Sequence, residues 1–438
     1  MPPDREPRLA SGRPRQPQRS SLWRHRDFMK LWAGDTVSVF GSELVLFALP
    51  LIAVQVLHAD AFEMGVLATL ESAAFLLISL PAGAWVDRLP KKLVIVSGDI
   101  IRAAVLLTIP LAWALDALSM VQLYCVAAAV GIASVFFDIA NQSYLPELVD
   151  GDAISDGNGK LQASQQTAGV AGPTLASGLV TAIGAPLTIG ITSICMGLSS
   201  ILVGLIRHRE SPRPAESRAG FVAEIREGLG FVLGHPLLRR ITACTGLTNF
   251  ASSGIFALLV LFALTTLGLH QVELGIIMSV ASIGGILGAL TAAWVQRILG
   301  EGTSIAVCAL IGGLSFFGVP LATVLPSLPT LLIGWFLATW AIVVYNIAQV
   351  SFRQRLCPKP LLGRMNASIR FLVWGPMPLG AFLAGVLGDW LGVTMTMWIL
   401  AACALLGSLP VLAPRLLRMR QLPRELDLLG NDGTAERR

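Results

Sequence analysis

Residues 64–115 read MGVLATLESAAFLLISLPAGAWVDRLPKKLVIVSGDIIRAAVLLTIPLAWAL. Two apolar stretches, 64–86 and 93–115, flank a short segment that holds one acidic and three basic residues. Each stretch exceeds the about 20 apolar residues that an α-helix needs to cross the hydrocarbon core of a bilayer. We therefore predict two membrane-spanning helices joined by a basic turn.

The composition of the whole chain agrees with a membrane location. Of 438 residues, 54% are hydrophobic and 13% are charged, and the mean hydropathy is +0.70. Soluble domains carry about 25% charged residues. This composition excludes an ordinary soluble enzyme, a disordered protein and a nucleic-acid-binding protein. The cysteines and histidines show no metal-ligand spacing, so we predict no metal site and no cofactor.

Twelve stretches of the chain are long and apolar enough to span a membrane. They are 30–56, 64–86, 93–115, 119–144, 160–183, 186–206, 240–267, 272–295, 303–323, 328–352, 366–388 and 392–413. Because lipid offers no partners for backbone N–H and C=O groups, such stretches form helices. The sequence thus predicts an all-α integral membrane protein with twelve transmembrane helices.

The basic residues predict the orientation of these helices. All 32 Lys and Arg residues fall in the termini, in every second loop, or in a helix near them, and the six remaining loops have none. Cytoplasmic loops are rich in Lys and Arg. We therefore predict a multi-pass protein of the cytoplasmic membrane with both termini in the cytoplasm.

The polar segments divide the chain into five parts. We predict a disordered basic tail at 1–27, a six-helix bundle at 28–206, a cytoplasmic linker at 207–239, a second bundle at 240–413 and a tail at 414–438. Within the linker, one helical face carries Phe221, Ile225, Leu229 and Val232. This spacing is typical of an amphipathic helix that lies along the membrane surface.

The two bundles show weak internal similarity. Ala84–Arg88 recurs at 293–297 with one difference, and residues of the 139–158 segment recur 208 positions later. Both matches fall at the same place in their half. A duplicated six-helix unit follows, with a cavity at mid-depth between two pseudo-symmetric halves.

The turn after the second helix resembles a known family motif. Gly83-Ala84-Trp85-Val86-Asp87-Arg88-Leu89-Pro90-Lys91-Lys92 is similar to G-x-x-x-D-R-x-G-R/K-R/K of the major facilitator superfamily, departing at Pro90. Other segments, such as FFDIANQSYLPELV and EIREGLGFVLGHPLLR, resemble its macrolide-efflux and enterobactin-exporter branch. The resemblance covers essentially the whole chain. It implies two six-helix bundles, a small organic substrate and exchange with protons, and we expect a monomer.

In that family the motif residues form a charge cluster that latches the outward-facing state. The resemblance assigns this role to Gly83, Asp87, Arg88, Lys91, Lys92, Asp99 and Arg102. Asp99 and Arg102 are three residues apart, so we predict that they pair on one helix face. The alternative is a topology signal beside a locally satisfied ion pair.

The fifth predicted helix carries a second motif. Gly169, Gly172, Pro173 and Gly178 resemble the antiporter signature G-x-x-x-G-P-x-x-G-G, with departures at Ala168 and at Ala176-Ser177. The resemblance implies antiport. The small residues also fit a plain packing face, where they let helices approach closely.

Carboxylates at membrane depth are costly and therefore candidates for a function. Asp35, Glu43 and Glu71 are the candidates for proton coupling, because an exporter driven by protons needs a carboxyl group that loads on one side and unloads on the other. For Asp35, the alternative is a hydrogen-bonded side chain that faces cytoplasmic water. Asp138 fits a structural role near Arg102.

Polar and aromatic residues at mid-depth are candidates for the substrate cavity. They are Phe40, Asn249, Phe250, Trp340, Asn346 and Trp374. An aromatic cavity with few carboxylates suits bulky amphiphilic or cationic compounds. The alternative is that these side chains face lipid or pack between helices.

Three functions fit the sequence to different degrees. The favoured one is export of drugs, antibiotics, secondary metabolites or siderophores in exchange for protons. An importer of metabolites or a lysolipid flippase would use the same scaffold. A membrane-embedded enzyme or receptor is a remote alternative, since the chain has no HExxH, GxSxG or GxxxxGK[ST] motif.

Overall fold

The computed structural model describes residues 22–86, 88–149, 152–208, 229–356, 362–417 and 419. These residues are helical apart from short connections. The long helices are α1 (Arg26–Leu51), α2 (Ala61–Val86), α3 (Lys91–Ala114), α4 (Met120–Leu148), α5 (Asp152–Ile183), α6 (Ala185–Gly204), α7 (Pro236–Leu261), α8 (Gln271–Leu299), α9 (Glu301–Ser315), α10 (Ser327–Leu356), α11 (Leu362–Trp374), α12 (Pro376–Leu391) and α13 (Val393–Gly407).

Within the described residues, 11 helical spans are long and apolar enough to cross a membrane. They correspond to 11 of the 12 predicted stretches. The remaining stretch, 160–183, lies in α5, which has 32 residues but a more polar sequence. The predicted all-α membrane fold is confirmed, and α5 stands apart by its polarity.

Matching details recur in the two halves. His25 and His235 begin α1 and α7, and each accepts a hydrogen bond from a backbone N–H three residues later. Both helices end in a π-helical turn, Ile52–Val56 and Phe262–Thr266. The corresponding features are 210 residues apart. This agreement supports the duplication that the sequence predicted.

The helices pack in the same order in both halves. In the first bundle α1 packs against α5 and α6, α2 against α4, and α3 against α4 and α6. In the second bundle α7 packs against α12 and α13, α8 against α10, and α9 against α10 and α13. We call the end where α1 and α7 begin the terminal end, and the opposite end the loop end.

Two glycines allow the bundles to touch near the loop end. A Cβ on Gly65 of α2 would lie 2.6 Å from the Cα of Gly385 in α12. A Cβ on Gly275 of α8 would lie 2.5 Å from Oγ of Ser177 in α5. Gly65 and Gly275 are themselves 210 residues apart. The two contacts between the halves are therefore related by the same pseudo-symmetry, and any side chain at either position would push the bundles apart.

Polar and aromatic side chains also form contacts between the two bundles near the loop end. The Gln55 and Gln271 side chains are hydrogen-bonded at 2.9 Å, and the Phe62 and Phe382 rings meet edge to face. Phe75 and Trp374 form the deepest such ring contact, near mid-depth. The described hydrogen bonds and ring contacts between the halves run from the loop end to mid-depth, so the structure is closed at the loop end.

One predicted helix is broken in the structure. The sequence predicted a continuous span at 366–388, whereas α11 ends at Trp374 and α12 begins at Pro376. Proline has no N–H to donate and its ring crowds the preceding turn, so a break follows. The Asn249 side chain donates to the Val373 carbonyl at 2.9 Å, which satisfies an acceptor beside the break.

Part of the predicted amphipathic helix lies in the described residues. Residues 229–234 are helical, and the side chain of Val232 is fully buried with Leu238 and Ile241 of α7 in the core of the second bundle. Phe221 and Ile225 lie outside the described residues, as do residues 1–21 of the predicted tail 1–27 and residues 420–438 of the predicted tail 414–438.

Candidate functional site

A buried ion pair lies at the centre of the first bundle. Asp99 is 0% and Arg102 is 3% exposed, and the two side chains of α3 are paired as the sequence predicted. Arg102 also donates to Oγ of Ser38 on α1 at 3.2 Å and lies 4.1 Å above the Phe137 ring of α4. These contacts hold the guanidinium between three helices of one bundle. Its described partners all belong to the first half.

Asp35 lies beside this pair on α1. It is 6% exposed, and Nδ2 of Asn141 on α4 donates to its carboxyl group at 2.6 Å. Asp99, Asp138 and Arg102 are close enough to act on Asp35 through their charges. The cluster therefore holds three carboxyl groups around one guanidinium, and the hydrogen-bond partner of Asp35 is a neutral amide.

Asp138 connects this cluster to the other half. Arg102 and Arg370 both attract its carboxylate electrostatically. Arg370 belongs to α11, where its exposed guanidinium lies 4.5 Å from the Trp374 ring. Trp374 in turn contacts Phe75 of α2. The sequence interpretation of Asp138 as a neighbour of Arg102 agrees with this arrangement. The same interpretation did not include Arg370.

The two other candidate carboxylates have different surroundings. Glu43 packs against α5, where a Cβ on Gly172 would lie 2.6 Å from the Cβ of Glu43. Glu71 lies on α2, and its backbone carbonyl is 2.9 Å from where a Cβ of Gly131 would be. Neither carboxyl group has a hydrogen-bond or ion-pair partner among the described residues. The structure keeps both of them apart from the Asp35 cluster.

The antiporter-like motif lies at two helix contacts. Gly172 admits the Glu43 side chain, and the carbonyl of Gly169 accepts a hydrogen bond from Ser282 of α8 at 2.6 Å. The Pro173 carbonyl approaches Gly275 of α8, within 2.9 Å of an added Cβ. Gly178 has open space at its Cβ position. The motif therefore forms the close approach of α5 to α1 and α8.

Two lysines of the loop motif connect α3 with the ends of α4 and α6 in the first bundle. Lys91 pairs with Glu147 at the end of α4 at 2.7 Å, and Lys92 donates to the Ile206 carbonyl after α6 at 2.6 Å. Gly83 lies within α2 and Arg88 is exposed. Asp87 lies outside the described residues.

The cavity candidates lie at separate places. Phe40 lines a cavity of about 290 Å³ between α1 and α5, together with Trp23, Trp32, Thr36, Lys160, Ala163, Ser164 and Thr167. Trp340 donates to Thr291 at 3.0 Å, and Asn346 accepts from Gln349 at 3.2 Å. Phe250 packs against Gly380, and Asn249 and Trp374 lie at the break between α11 and α12. Of these six residues, Phe40 is among those that line this cavity.

Sequence reasoning missed Ser38, Phe137 and Asn141. Asn141 follows Asp138 by three residues in the apolar helix α4, so both lie on one face. That spacing was a usable signal of a polar cluster. Ser38 and Phe137 carry no comparable signal, because they approach Arg102 only in the folded bundle.

Comparisons with known proteins agree with this architecture. The Major Facilitator Superfamily profile matches residues 31–376. The chain is 26% identical to the multidrug efflux pump Tap of Mycolicibacterium fortuitum over 89% of this chain and 94% of that one. It is 22% identical to the enterobactin exporter EntS of Salmonella choleraesuis over 84% and 87% of the two chains. The crystal structure of a mutant of the nucleoside transporter NupG has the same fold, with a TM-score of 0.75 at 13% identity over 88% and 99%. The chain is a member of the Major Facilitator Superfamily of membrane transporters.

Proposed function

We propose that this protein exports amphiphilic organic compounds across the cytoplasmic membrane in exchange for protons. It works as a monomer with both termini in the cytoplasm. The terminal end then faces the cytoplasm, and a structure closed at the loop end is the cytoplasm-facing state of an alternating-access cycle. The functions that the relatives' names give, multidrug efflux and enterobactin export, support the outward direction.

The main support for proton exchange is the environment of Asp35. Its buried carboxyl group has a neutral hydrogen-bond partner, Asn141, and shares Arg102 with Asp99 and Asp138. A carboxyl group of this kind can bind and release a proton without breaking an ion pair of its own. Asp35 is therefore the first candidate for the proton carrier, before Glu43 and Glu71.

Glu43 is the second candidate because of its contact with α5. Its side chain lies against Gly172, and α5 also contacts α8 of the other half through Gly169. A change of charge at Glu43 acts directly on α5, the helix of the first bundle that contacts α8 of the second. This link between protonation and the contact of the halves is what antiport requires.

The loop motif supplies the conformational latch in this proposal. Lys91 and Lys92 hold the terminal ends of α3, α4 and α6 together, and Asp87 and Arg88 follow α2 directly in the sequence. When the terminal end closes, this charged surface meets the second bundle. The Asp99–Arg102 pair keeps the first bundle rigid as it moves.

Transport in inverted membrane vesicles tests the proposal. Vesicles from a strain that lacks its other efflux systems should accumulate tetraphenylphosphonium when their interior is acidic, and an uncoupler should abolish this uptake. Asp35→Asn should lower the proton-driven uptake at least tenfold. Asp389→Asn, which neutralises an exposed carboxylate near the end of α12, is the control and should leave it unchanged.

Two results would contradict the proposal. Unchanged proton-driven uptake in both Asp35→Asn and Glu43→Gln would remove these residues from coupling. Higher rather than lower accumulation of compounds in cells that express the protein would indicate an importer instead of an exporter.

A further inference from the structure

The polarity of α5 has a specific source. Gln162, Gln165 and Gln166 are all exposed and lie three and four residues apart, so they share one face of the helix. None of these three amides has a hydrogen-bond partner among the described residues. We call this set the glutamine face.

The glutamine face lies at membrane depth. Ser164, between the glutamines, accepts a hydrogen bond from Thr36 of α1 at 3.0 Å, and Thr36 directly follows Asp35. The glutamines are therefore level with the Asp35 cluster. Gln166 is also less than one helical turn from Gly169, where α5 contacts Ser282 of α8. The glutamine face therefore lies on the terminal side of the contact between α5 and α8.

Unpartnered amides at this depth have to meet water or a ligand. An amide without a hydrogen-bond partner is unfavourable in hydrocarbon, so polar side chains of membrane helices face the protein interior or a water-filled cavity. The described hydrogen bonds and close glycine contacts between α5 and the second bundle lie in the loop-side half of α5, near Gly169, Thr174 and Ser177. The glutamine face therefore requires water between the halves on the terminal side.

We propose that Gln162, Gln165 and Gln166 form a substrate-recognition surface for organic compounds rich in hydroxyl and carbonyl groups. A neutral amide both donates and accepts hydrogen bonds, and three on one face match several such groups of one compound. The carboxyl groups of Asp35 and Glu43 attract cations instead. This inference rests on the proposed export function and names a part of its substrate range.

Two triple variants test the inference. Q162L/Q165L/Q166L removes hydrogen bonding at nearly equal side-chain size, whereas Q162N/Q165N/Q166N keeps the amides on shorter side chains. The probes are erythromycin, a macrolactone with many hydroxyl and carbonyl groups, and tetraphenylphosphonium, which has none. Both carry one positive charge at pH 7. Transport is measured in the same inverted vesicles, with the amount of each variant in the membrane determined by immunoblot.

The leucine variant should lower erythromycin transport about tenfold more than tetraphenylphosphonium transport, and the asparagine variant should recover most of the loss. Equal losses for both probes, equal losses in both variants, or no loss would overturn the inference. So would a wild-type protein that transports tetraphenylphosphonium and not erythromycin. A wild-type protein that transports neither probe would contradict the proposed function itself. This outcome therefore differs from those that overturn only the role of the glutamine face.

Discussion

The two bundles share one architecture and differ in charge. In the first, the buried Asp35, Asp99 and Arg102 form a charged cluster with the half-buried Asp138. In the second, the position 210 residues after Asp35 is Thr245, whose hydroxyl is hydrogen-bonded to Tyr345 at 2.7 Å. The turn of α9 that corresponds to the ion pair reads CALIG, residues 308–312, and carries no charge.

This difference separates what the fold requires from what the function adds. The second bundle keeps the same helix order, caps and π-helical turns with neutral residues at the positions that correspond to Asp35, Asp99 and Arg102. The buried charges of the first bundle are therefore not needed to build a six-helix unit. Buried charges are retained where they serve a function, because desolvating them is costly.

The largest effect is expected from removing one partner of the buried pair. Arg102→Met leaves Asp99 buried without its cation, which should destabilise the protein by about 3–5 kcal/mol. Equilibrium unfolding in mixed detergent–SDS micelles measures this loss. The double variant Asp99→Leu/Arg102→Met replaces the ion pair by apolar residues and so gives this turn of α3 no charge, like residues 308–312.

The double variant should regain most of the lost stability, because replacing a buried ion pair by apolar residues is often neutral. It should still transport poorly, since the cluster around Asp35 has lost its guanidinium. A double variant that is stable and fully active would show that the charge difference between the bundles has no functional meaning.

The next largest effect is expected at Asp35. Asp35→Thr gives the first bundle the residue that the second has at Thr245. Transport should lose its dependence on the proton gradient, with uptake falling at least tenfold and an uncoupler having no further effect. Thr245→Val, which changes the neutral counterpart, is the control and should keep full sensitivity to the uncoupler. Sensitivity retained in Asp35→Thr would place coupling elsewhere.

A smaller effect is expected where the second bundle does contribute a charge. Asp138 is attracted by Arg370, whereas the position 208 residues after Asp138 is the neutral Asn346. Asp138→Asn and Arg370→Gln should each slow transport about three- to fivefold. Their opposite charges lie on different bundles, and their attraction favours closure of the terminal end.

A double-mutant cycle shows whether the two residues act together. The double variant Asp138→Asn/Arg370→Gln should be no slower than either single variant. Arg353→Gln, on α10 within the second bundle, is the matched loss of a cation and should be additive with Asp138→Asn. Additive effects of Asp138 and Arg370 would indicate that they act independently.

The sequence predicted the parts of this molecule that local patterns determine. The helical spans, the duplication and the Asp99–Arg102 pair follow from apolar length, recurrence and three-residue spacing. The break at Gly375 was missed because a proline in a membrane helix is often tolerated, and only the structure shows Asn249 supporting the freed backbone.

The candidate site could be predicted only in part. Asp35 was singled out because a carboxylate in an apolar stretch is rare. Its partner Asn141 is 106 residues away, and such pairings depend on how helices meet rather than on local sequence. For the same reason, the sequence could not predict that Asn249 and Trp340 each have a hydrogen-bond partner within their own bundle.

The smallest effect is expected at a feature the two bundles share. The imidazole Nδ1 of His25 accepts from the Phe28 N–H at 3.0 Å, and that of His235 accepts from the Leu238 N–H at 3.4 Å. His25→Ala and His235→Ala should each cost about 0.5–1 kcal/mol of unfolding free energy, the usual loss for an N-cap. A much larger loss in one bundle would contradict the equivalence of the two caps.

The pH dependence of the second cap has a defined sign. Burial lowers the pKa of His235 below its ordinary 6.5, so the folded protein favours the neutral imidazole that can accept a hydrogen bond. The contribution of this cap is complete above about pH 6.5 and decreases as the pH falls toward the lowered pKa. Unfolding measured at pH 8 and pH 5.5 should therefore show a smaller pH dependence in His235→Ala than in the wild type. An equal dependence in both proteins would mean that the imidazole does not cap α7.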